Sequence, residues 1–400
     1  MKILLSIILV ILVFFGLQFY TWRILNRLEI NNQVSFWTML LVIASYVSII
    51  GFMIYLGPRS PIFIYLSSCF LLLFVPQLLM MLTGLISDIM VGVSSLFFSP
   101  GLKTPGRRKF LGQISLAIGS IPFLGIMHGI FYGKYNFKRI RHTLAFKYLP
   151  KDFEDYKIVH ISDIHIGSID NKEKVKEAVD LVNKENADLL LFTGDLVNHT
   201  SEEVNGWEDI LGDFKAKDGL FAVLGNHDYA PYLDVSPADK RLHLQKTKDK
   251  YAELGFTLLN NENISLRKNS SELKLLGVEY WGNTMKDNPG DLEKALEGIK
   301  KDDFKILMSH DPSHVEKVVF PHKFPFELSL SGHTHGMQFG IEIPGWIKWS
   351  PIQYVYKFWA GMYQENGQFL NVNRGFGYHA YSGRTGIWPE ISVITLKQDV

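Results

Sequence analysis

Long apolar runs separated by short polar loops make up the first third of the chain. Four of these runs contain no charged residue, and they cover residues 3–22, 35–57, 62–87 and 110–133. About 20 apolar residues cross the core of a bilayer as a helix, so the pattern predicts an α-helical membrane domain of about four spans. Pro76 is expected to kink the third span, and residues 89–98 are too few to cross alone.

After residue 134 the pattern changes to short apolar strands that alternate with helices. Residues 156–162 and 188–193 are apolar runs that flank an amphipathic helix with apolar side chains at the i, i+3, i+4 and i+7 positions: Val175, Ala178, Val179 and Val182. Asp170, followed by Glu173 three residues later, is expected to cap this helix. The order strand, helix, strand predicts parallel strands.

The remaining chain predicts more strands of the same domain. A second helix and strand are expected over residues 202–214 and 220–224, followed by shorter strands near residues 255–259, 273–278, 304–308, 327–330, 368–372 and 391–396. About 260 residues are enough for one α/β domain of two packed sheets. The expected domains are a membrane domain at 1–133, a connector with an edge strand at 134–155, and a globular α/β domain at 156–400.

Composition excludes several classes of protein. The chain is 47% apolar and 20% charged, and its net charge of +1 combines +6 over residues 1–133 with −5 over the rest. A single soluble domain, a disordered chain and a nucleic-acid binder that relies on bulk charge are therefore excluded. The only cysteine is Cys69, so an intramolecular disulfide, a thiolate metal cage and a CxxC redox site are impossible.

The distribution of Lys and Arg predicts the orientation of a multi-pass protein in the cell membrane. Loops 23–34 and 88–109 carry six positive charges, against Lys2 and Arg59 on the opposite side. The positive-inside rule then places the globular domain after the fourth run outside the cytoplasm. A basic cluster just after the fourth run favours the cytoplasmic face instead, so a cytoplasmic location of the domain stays open. The cluster comprises Lys134, Lys138, Arg139 and Arg141. The segment 107–111 resembles a twin-arginine export signal, but an ordinary basic stop before a helix explains it equally well.

Five polar segments follow predicted strands. They are Asp163-Ile164-His165, Gly194-Asp195, Gly225-Asn226-His227-Asp228, Ser309-His310-Asp311 and Gly332-His333-Thr334-His335. The carboxyl ends of parallel strands converge on one edge of a sheet, so these segments are expected to meet there. The other eight histidines lack this setting and are interpreted as surface or packing residues.

The order DxH, GD, GNHD, H and GHTH resembles the calcineurin-like metallophosphoesterase superfamily over residues 156–396. The resemblance implies an α/β fold, a four-layer αββα sandwich of two sheets, and a metal-dependent phosphoric ester hydrolase. The chain is most similar to the membrane-associated bacterial branch, which includes lipid-related phosphodiesterases and UDP-2,3-diacylglucosamine hydrolase-like enzymes. Asn373-Arg374-Gly375 and Pro389-Glu390-Ile391 also resemble that branch. Gly336-Met337-Gln338 departs from the pattern, because a second glycine is expected there.

The residue types predict a centre for two divalent ions. Two neighbouring cations need an anionic bridge, for which Asp195 is the candidate. Asp163, His165 and His335 would complete the first ion's shell, and Asn226, His310 and His333 the second's. Side chains at i and i+2 of extended backbone point to the same side, so one loop is expected to serve both ions. Oxygen and imidazole donors without thiolate suit Mn, Fe or Zn.

Such a centre clamps a phosphate and lowers the pKa of bound water toward about 7, which provides a hydroxide nucleophile. His227, next to the ligand Asn226, is expected to protonate the leaving oxygen, and Asp228 to orient or charge His227. The resemblance assigns the same catalytic roles.

The substrate is less constrained by the sequence. Seven aromatic residues lie within 346–363, with Lys348 and Lys357 among them: Trp346, Trp349, Tyr354, Tyr356, Phe358, Trp359 and Tyr363. They suit the bilayer interface and an amphiphilic substrate, or they pack the second sheet. Arg374 and Arg384 bind a second phosphate or sugar, or they pair with acids.

Three function classes follow. The leading hypothesis is a membrane-anchored phosphodiesterase acting on a lipid or envelope phosphoester. The alternatives are a phosphatase of soluble metabolites and a non-enzymatic membrane scaffold or transporter, which the intact set of ligands disfavours. The expected partners are the lipid bilayer and a phosphoester substrate, with no nucleic acid.

Overall fold

The computed structural model describes residues 2–97, 105–282, 285 and 288–399. The chain divides into a helical unit, residues 1–131 with 380–382, and a catalytic unit, residues 132–379 with 383–400. Part of the basic loop 88–109, residues 98–104, lies outside the described residues.

Within the described residues, the helical unit contains four helices, which overlap the four predicted apolar runs. They are α1 (Lys2–Arg27), α2 (Asn32–Leu56), α3 (Phe63–Phe97) and α4 (Pro105–Phe131). Among the described residues, three stretches are long and apolar enough to cross a membrane: Asn32–Leu56, Phe63–Val93 and Arg108–Phe131. Helix α3 continues through Pro76 and includes residues 89–97, so the short predicted segment is the end of α3.

Ion pairs connect the polar ends of these helices. Asp88 of α3 pairs with Arg23 at 2.8 Å and with Arg27, both on α1. Lys109 of α4 pairs with Glu29, which follows α1, at 2.7 Å. The end of α1, the end of α3 and the start of α4 therefore lie at the same end of the bundle, as the predicted order of spans requires.

The catalytic unit is built from fourteen strands within the described residues. In chain order they are β1 (Lys138–Phe146), β2 (Lys157–Ile161), β3 (Leu189–Phe192), β4 (Leu220–Ala222), β5 (Thr257–Leu258), β6 (Glu262–Lys268), β7 (Ser271–Gly277), β8 (Lys305–Met308), β9 (Leu328–Ser331), β10 (Ile341–Ile343), β11 (Ile347–Trp349), β12 (Gly361–Glu365), β13 (Gln368–Val372) and β14 (Glu390–Gln398). Its helices are α5 (Lys172–Asn183), α6 (Glu208–Leu211), α7 (Pro237–Glu253), α8 (Leu292–Ala295) and α9 (Pro312–His314).

Two six-stranded sheets form the framework, which confirms the predicted two-sheet α/β fold. The first has the order β1-β14-β2-β3-β4-β5, the second has the order β12-β13-β9-β8-β7-β6, and β10 and β11 form a separate hairpin. Side chains from both sheets share one buried core, including Leu189 and Leu191 of β3 and Ile306 and Met308 of β8. Leu307 faces the opposite way, into a second core. Because β8 is buried on both faces, its residues after Lys305 form a continuous apolar run, Ile306 to Met308.

Some local predictions were wrong. Helix α5 is capped by Asn171, whose side chain accepts a hydrogen bond from the Lys174 N–H at 2.9 Å. The Asp170 carboxylate instead accepts hydrogen bonds from Lys134 and Tyr135. Residues 202–214 form only a short 3-10 turn and the one-turn helix α6, because no sustained apolar periodicity supports a longer helix there.

Candidate metal centre

The five polar motifs meet at the edge of the two sheets where the strands that precede them end. In the first sheet, β2, β3 and β4 are adjacent and parallel, and in the second β8 and β9 are too. A 2.6 Å hydrogen bond from His310 Nδ1 to the Thr193 carbonyl joins the two edges. Among the described residues, the donor atoms form three groups, and the donor atoms of each group lie within 4.8 Å of one another. The groups are Asp163, His165 and His335; His165, Asp195 and His227; and Asp195, His310 and His333.

Asp195 lies at the centre of this arrangement and is fully buried. Its Oδ2 atom lies 3.2 Å from His310 Nε2 and 3.5 Å from His165 Nε2. Its Oδ1 atom accepts the backbone N–H of His227 at 2.8 Å. One carboxylate oxygen thus faces a histidine from each sheet, which is the geometry that a bridging ligand requires.

His310 and His333 face each other through ring nitrogens: His310 Nε2 and His333 Nδ1 are 3.2 Å apart. The other nitrogen of each ring lies at hydrogen-bond distance from an oxygen, 2.6 Å from the Thr193 carbonyl for His310 Nδ1 and 2.9 Å from the Tyr356 hydroxyl for His333 Nε2. Two imidazole nitrogens this close can both bind one metal ion once they are unprotonated, so this pair fits a metal ion.

Asn226 and Asp163 add oxygen donors at the same edge. Asn226 is buried, and its Oδ1 atom has no hydrogen-bond partner in the protein. A buried carbonyl oxygen without a partner is costly, and a metal ion would satisfy it. Asp163 Oδ1 lies 3.2 Å from His335 Nε2, and the Asp163 carboxylate also accepts the His333 N–H at 3.0 Å. The donor set therefore fits divalent ions.

The interpretation of Asp228 as the partner of the His227 side chain was wrong. The Asp228 carboxylate accepts the backbone N–H groups of Asp195, Leu196 and Gly225 at 2.9 to 3.0 Å. The turn after β4 directs this carboxylate toward the backbone of the loops that carry the motifs. His227 Nδ1 instead hydrogen-bonds to the carbonyl oxygen of Asn198 at 2.8 Å.

Comparison with known sequences identifies the family. The profile "Calcineurin-like phosphoesterase" matches residues 156–337, and "Probable Calcineurin-like phosphoesterase, transmembrane domain" matches residues 1–134. The "Uncharacterized metallophosphoesterase YkuE" of Bacillus subtilis (strain 168) is 30% identical over 306 residues, which make up 74% of this chain and 99% of that protein. This chain belongs to the calcineurin-like phosphoesterase family.

Two other relatives are informative about context. "Phosphodiesterase YaeI" of Escherichia coli (strain K12) is 26% identical over 72% of this chain and 98% of its own length. A "Transmembrane protein with metallophosphoesterase domain" of Danio rerio is 29% identical over 62% of this chain and 55% of its own length. The chain is thus a membrane-associated metallophosphoesterase and a metal-dependent hydrolase of phosphoesters.

The sequence analysis missed two residues of this metallophosphoesterase site. His379, interpreted as a surface or packing residue, stacks on His165 with ring centres 4.8 Å apart and meets His227 edge-on at 4.6 Å. Asn198 Oδ1 lies 3.0 Å from His165 Nδ1 and 3.2 Å from His379 Nδ1. A signal for His379 was available, because β13 runs parallel to β9 and the loop after it leaves from the same edge.

The metallophosphoesterase motif loops hold strained backbone. Asp163, His165, Asp195, His333 and His335 all have positive φ angles, between 47° and 70°. Such angles cost about 1–3 kcal/mol each and cluster at functional sites. The expectation of extended backbone in the histidine loop was therefore wrong: the left-handed conformation of His333 and His335 sends one imidazole to His310 and the other to Asp163.

At two motif positions glycine is required, because neighbouring atoms lie too close for any side chain. A Cβ atom on Gly332 would lie 1.8 Å from Ser162 Oγ, and one on Gly225 would lie 2.1 Å from Asp195 Oδ1. Met337, where the family pattern has a second glycine, has φ +55° and is 52% exposed. Its side chain therefore points away from the buried centre, and the departure costs backbone strain.

Electrostatics couple His310 to the carboxylates. Burial opposes a charge on His310, but Asp195 and Asp163 outweigh it and raise the pKa of His310 to about 10. Burial favours the neutral form of Asp195, but His310 and His227 lower the pKa of its carboxyl below the usual value. Burial also lowers the pKa of His165 well below its usual value. In the absence of a metal, the site thus offers ionised carboxylates, a neutral His165 and a protonated His310, and a metal ion bound by His310 would displace its proton.

The structure divides the aromatic segment 346–363 into a buried part and an exposed part. Phe358 and Trp359 are buried, whereas Trp346 is 82% exposed and Tyr354 is 78% exposed. Packing thus explains one part of the segment and leaves the other part at the surface.

Arg374 is buried between two carboxylates: Glu342, at 2.6 Å, and Glu390. Arg384 is also buried and donates to the carbonyl oxygens of Gly375 and Gly377.

Proposed function

We propose that this chain is a membrane-anchored phosphodiesterase that uses two divalent ions to hydrolyse a lipid or envelope phosphoester. The observation that carries the proposal is the close approach of the His310 and His333 ring nitrogens, 3.2 Å apart, together with a buried Asn226 oxygen that has no hydrogen-bond partner in the protein. A hydrolase active on diesters is further supported by the name of the E. coli relative.

Two donor groups that share Asp195 support a site for two ions. The first would comprise Asp163, His165 and His335, and the second Asn226, His310 and His333. Asp195 contributes to two of the three geometric groups, one with His165 and one with His310. The absence of thiolate from these donors suits Mn, Fe or Zn.

When bound, the ions would supply Lewis-acid activation of the phosphoester and of the attacking water. The protein supplies positioning and a proton. The Asn198 carbonyl accepts the Nδ1–H of His227 and fixes the direction of its ring, which leaves Nε2 to act on the substrate. We assign the imidazolium form of His227, which carries a second proton on Nε2, as the donor of that proton to the leaving oxygen when the P–O ester bond breaks, and His227 is left as the neutral Nδ1–H imidazole. Asp228 would act indirectly, by holding the backbone of Asp195 and Gly225 in place.

The activity is tested most directly by assaying metal-replete protein against a panel of substrates. Full-length protein loaded with Mn, Fe or Zn is assayed against soluble diesters, soluble monoesters and phospholipids in vesicles, with bound metal counted in parallel. We expect about two ions per chain and faster hydrolysis of diesters than of monoesters. Exclusive hydrolysis of soluble monoesters would support a metabolite phosphatase and overturn the proposal.

We also propose four spans with the catalytic domain outside the cytoplasm. The excess of positive charge in the loops next to Arg23, Arg27 and Lys109 supports this orientation. A fluorescent reporter that folds only in the cytoplasm, fused after Val400, should stay dark, and an alkaline phosphatase fusion at the same point should be active. The opposite pattern would place the domain in the cytoplasm and remove the support for an export signal at 107–111.

A further inference from the structure

An apolar patch covers the β10–β11 hairpin and the turn after it. This patch, here called the hairpin patch, comprises Ile341, Ile343, Trp346, Ile347, Tyr354 and Val355, all of them exposed. Trp346 at the turn, Tyr354 and Val355 are each at least 74% exposed. Single exposed apolar side chains are ordinary, but six within fifteen residues are a concentration that indicates an interaction site.

The hairpin exposes its apolar face and directs its polar face to the domain, which is the reverse of an ordinary surface hairpin. Ile343 pairs with Ile347 across the two strands, and Glu342 pairs with Lys348. Because side chains alternate along a strand, the isoleucines and the charged residues lie on opposite faces. Glu342 binds buried Arg374, and Lys348 donates to the carbonyl of Ala360. The polar face therefore anchors the hairpin to the domain, and the apolar face points to solvent.

The hairpin patch adjoins the metal centre. On one side, Ser350 Oγ donates to the carbonyl of Gly336 in the histidine loop at 2.8 Å. On the other side, the Tyr356 hydroxyl lies 2.9 Å from His333 Nε2. Residues 350–356 thus connect the exposed apolar surface to a donor of the second ion, so whatever covers the hairpin patch lies next to the rim of the site.

The chemistry of the hairpin patch fits the interface of a lipid bilayer. Trp and Tyr are enriched at the depth of lipid headgroups, where their rings sit between apolar and aqueous regions. Lys348 is engaged with the carbonyl of Ala360 and Lys357 with the carboxylate of Glu365, so the hairpin patch offers apolar and aromatic surface and not free positive charge. The same chain carries apolar helices long enough to span a membrane, so a bilayer is always within reach.

We propose that the hairpin patch inserts into the headgroup region of the membrane that holds the chain. The rim of the metal centre then lies at the level of lipid phosphates. This second step rests on the proposed function, because it gives the phosphodiesterase a substrate that is present at a two-dimensional concentration. Insertion itself does not depend on the activity and is tested separately.

Insertion is measured with an environment-sensitive dye on full-length protein in liposomes. In a Cys69→Ala background, Trp346→Cys carries the dye at the hairpin, and Tyr148→Cys carries it at a matched exposed aromatic outside the hairpin, which is 75% exposed. We expect blue-shifted emission at 346 and quenching by headgroup-level spin-labelled lipid at least about threefold stronger than at 148. Equal quenching at both positions would overturn the proposal. A blue shift at 346 that disappears when the protein is diluted in lipid would identify a second copy of the chain as the occupant and would also overturn it.

The consequence for the substrate is tested with Trp346→Ser, Tyr354→Ser and Val355→Ser combined in one variant, with Tyr148→Ser as the control. All three side chains are exposed, so the fold and the metal centre should persist, and a soluble diester such as bis(p-nitrophenyl) phosphate should be hydrolysed at the normal rate. Hydrolysis of a phospholipid diester in vesicles should fall at least about fivefold. An equal loss on both substrates would contradict the link between hairpin and substrate. If no diester is hydrolysed by the unsubstituted protein, the proposed function fails, and the dye measurement still decides insertion.

Discussion

Replacing Asn198 by Ala should weaken metal binding without removing the proton donor. The Asn198 side chain makes three hydrogen bonds: Oδ1 to His165 Nδ1 at 3.0 Å and to His379 Nδ1 at 3.2 Å, and Nδ2 to Ser168 Oγ at 2.8 Å. The substitution leaves the buried Nδ1–H of His165 without an acceptor. The backbone carbonyl of Asn198, which holds His227, stays in place.

The size of the effect follows from these contacts. A buried donor without a partner costs about 1–3 kcal/mol, so the metal-free variant should lose about that much free energy of unfolding. Partners that orient a metal ligand are worth about 10–100-fold in metal affinity, so the metal concentration for half-maximal activity should rise by about that factor. Because His227 keeps its carbonyl acceptor, saturating metal should restore most of the rate.

The assay is a titration of metal-free protein with Mn, followed by bound metal and by diester hydrolysis. His379→Ala is the matched control, because it removes one partner of Asn198 and leaves the bond to His165. Unchanged metal affinity in Asn198→Ala would refute the argument that this side chain orients His165. A rate that stays low at saturating metal would show that the loss lies in the proton transfer and not in the binding of metal.

Three other substitutions test the assigned roles. Asp195→Ala should lose both bound metal and activity, and elemental analysis that still finds two ions per chain would show that Asp195 is not the bridge. His227→Ala should keep its metal but react slowly, with a smaller loss for nitrophenolate, a leaving group that needs no proton; a loss of metal would make His227 a ligand, as its proximity to Asp195 and His165 permits. Gly332→Ala should destabilise the catalytic unit by about 2 kcal/mol or more in a thermal or urea unfolding assay, because the new methyl group overlaps Ser162 Oγ, and normal stability would contradict the packing seen around this glycine.

The surface hairpin changes how the aromatic segment is tested. Trp346 and Trp359 are close in sequence and identical in type, yet one is 82% exposed and the other 5%. A change at Trp359 therefore removes core packing and lowers stability, whereas a change at Trp346 removes only exposed apolar surface. A variant that alters both would mix the two effects, which is why the substitutions at the hairpin leave Trp359 intact.

The sequence by itself determined the framework and the position of the metal centre. Apolar runs of about 20 residues specify membrane helices because the bilayer sets their length. Likewise, the polar residues after β2, β3, β4, β8 and β9 converge because parallel strands end at one edge of a sheet. Both arguments depend only on local pattern and on a general rule of topology.

The tertiary structure alone decided how individual side chains are used. Asp228 turns to backbone N–H groups because the loop after β4 has a conformation that its sequence does not reveal. The position of β13 places the loop after it at this edge, but only folding brings His379, within that loop, onto the ring of His165. The hairpin shows its isoleucines to solvent because Glu342 is bound by Arg374, a residue distant in sequence. In each case the deciding contact joins parts of the chain that only folding brings together.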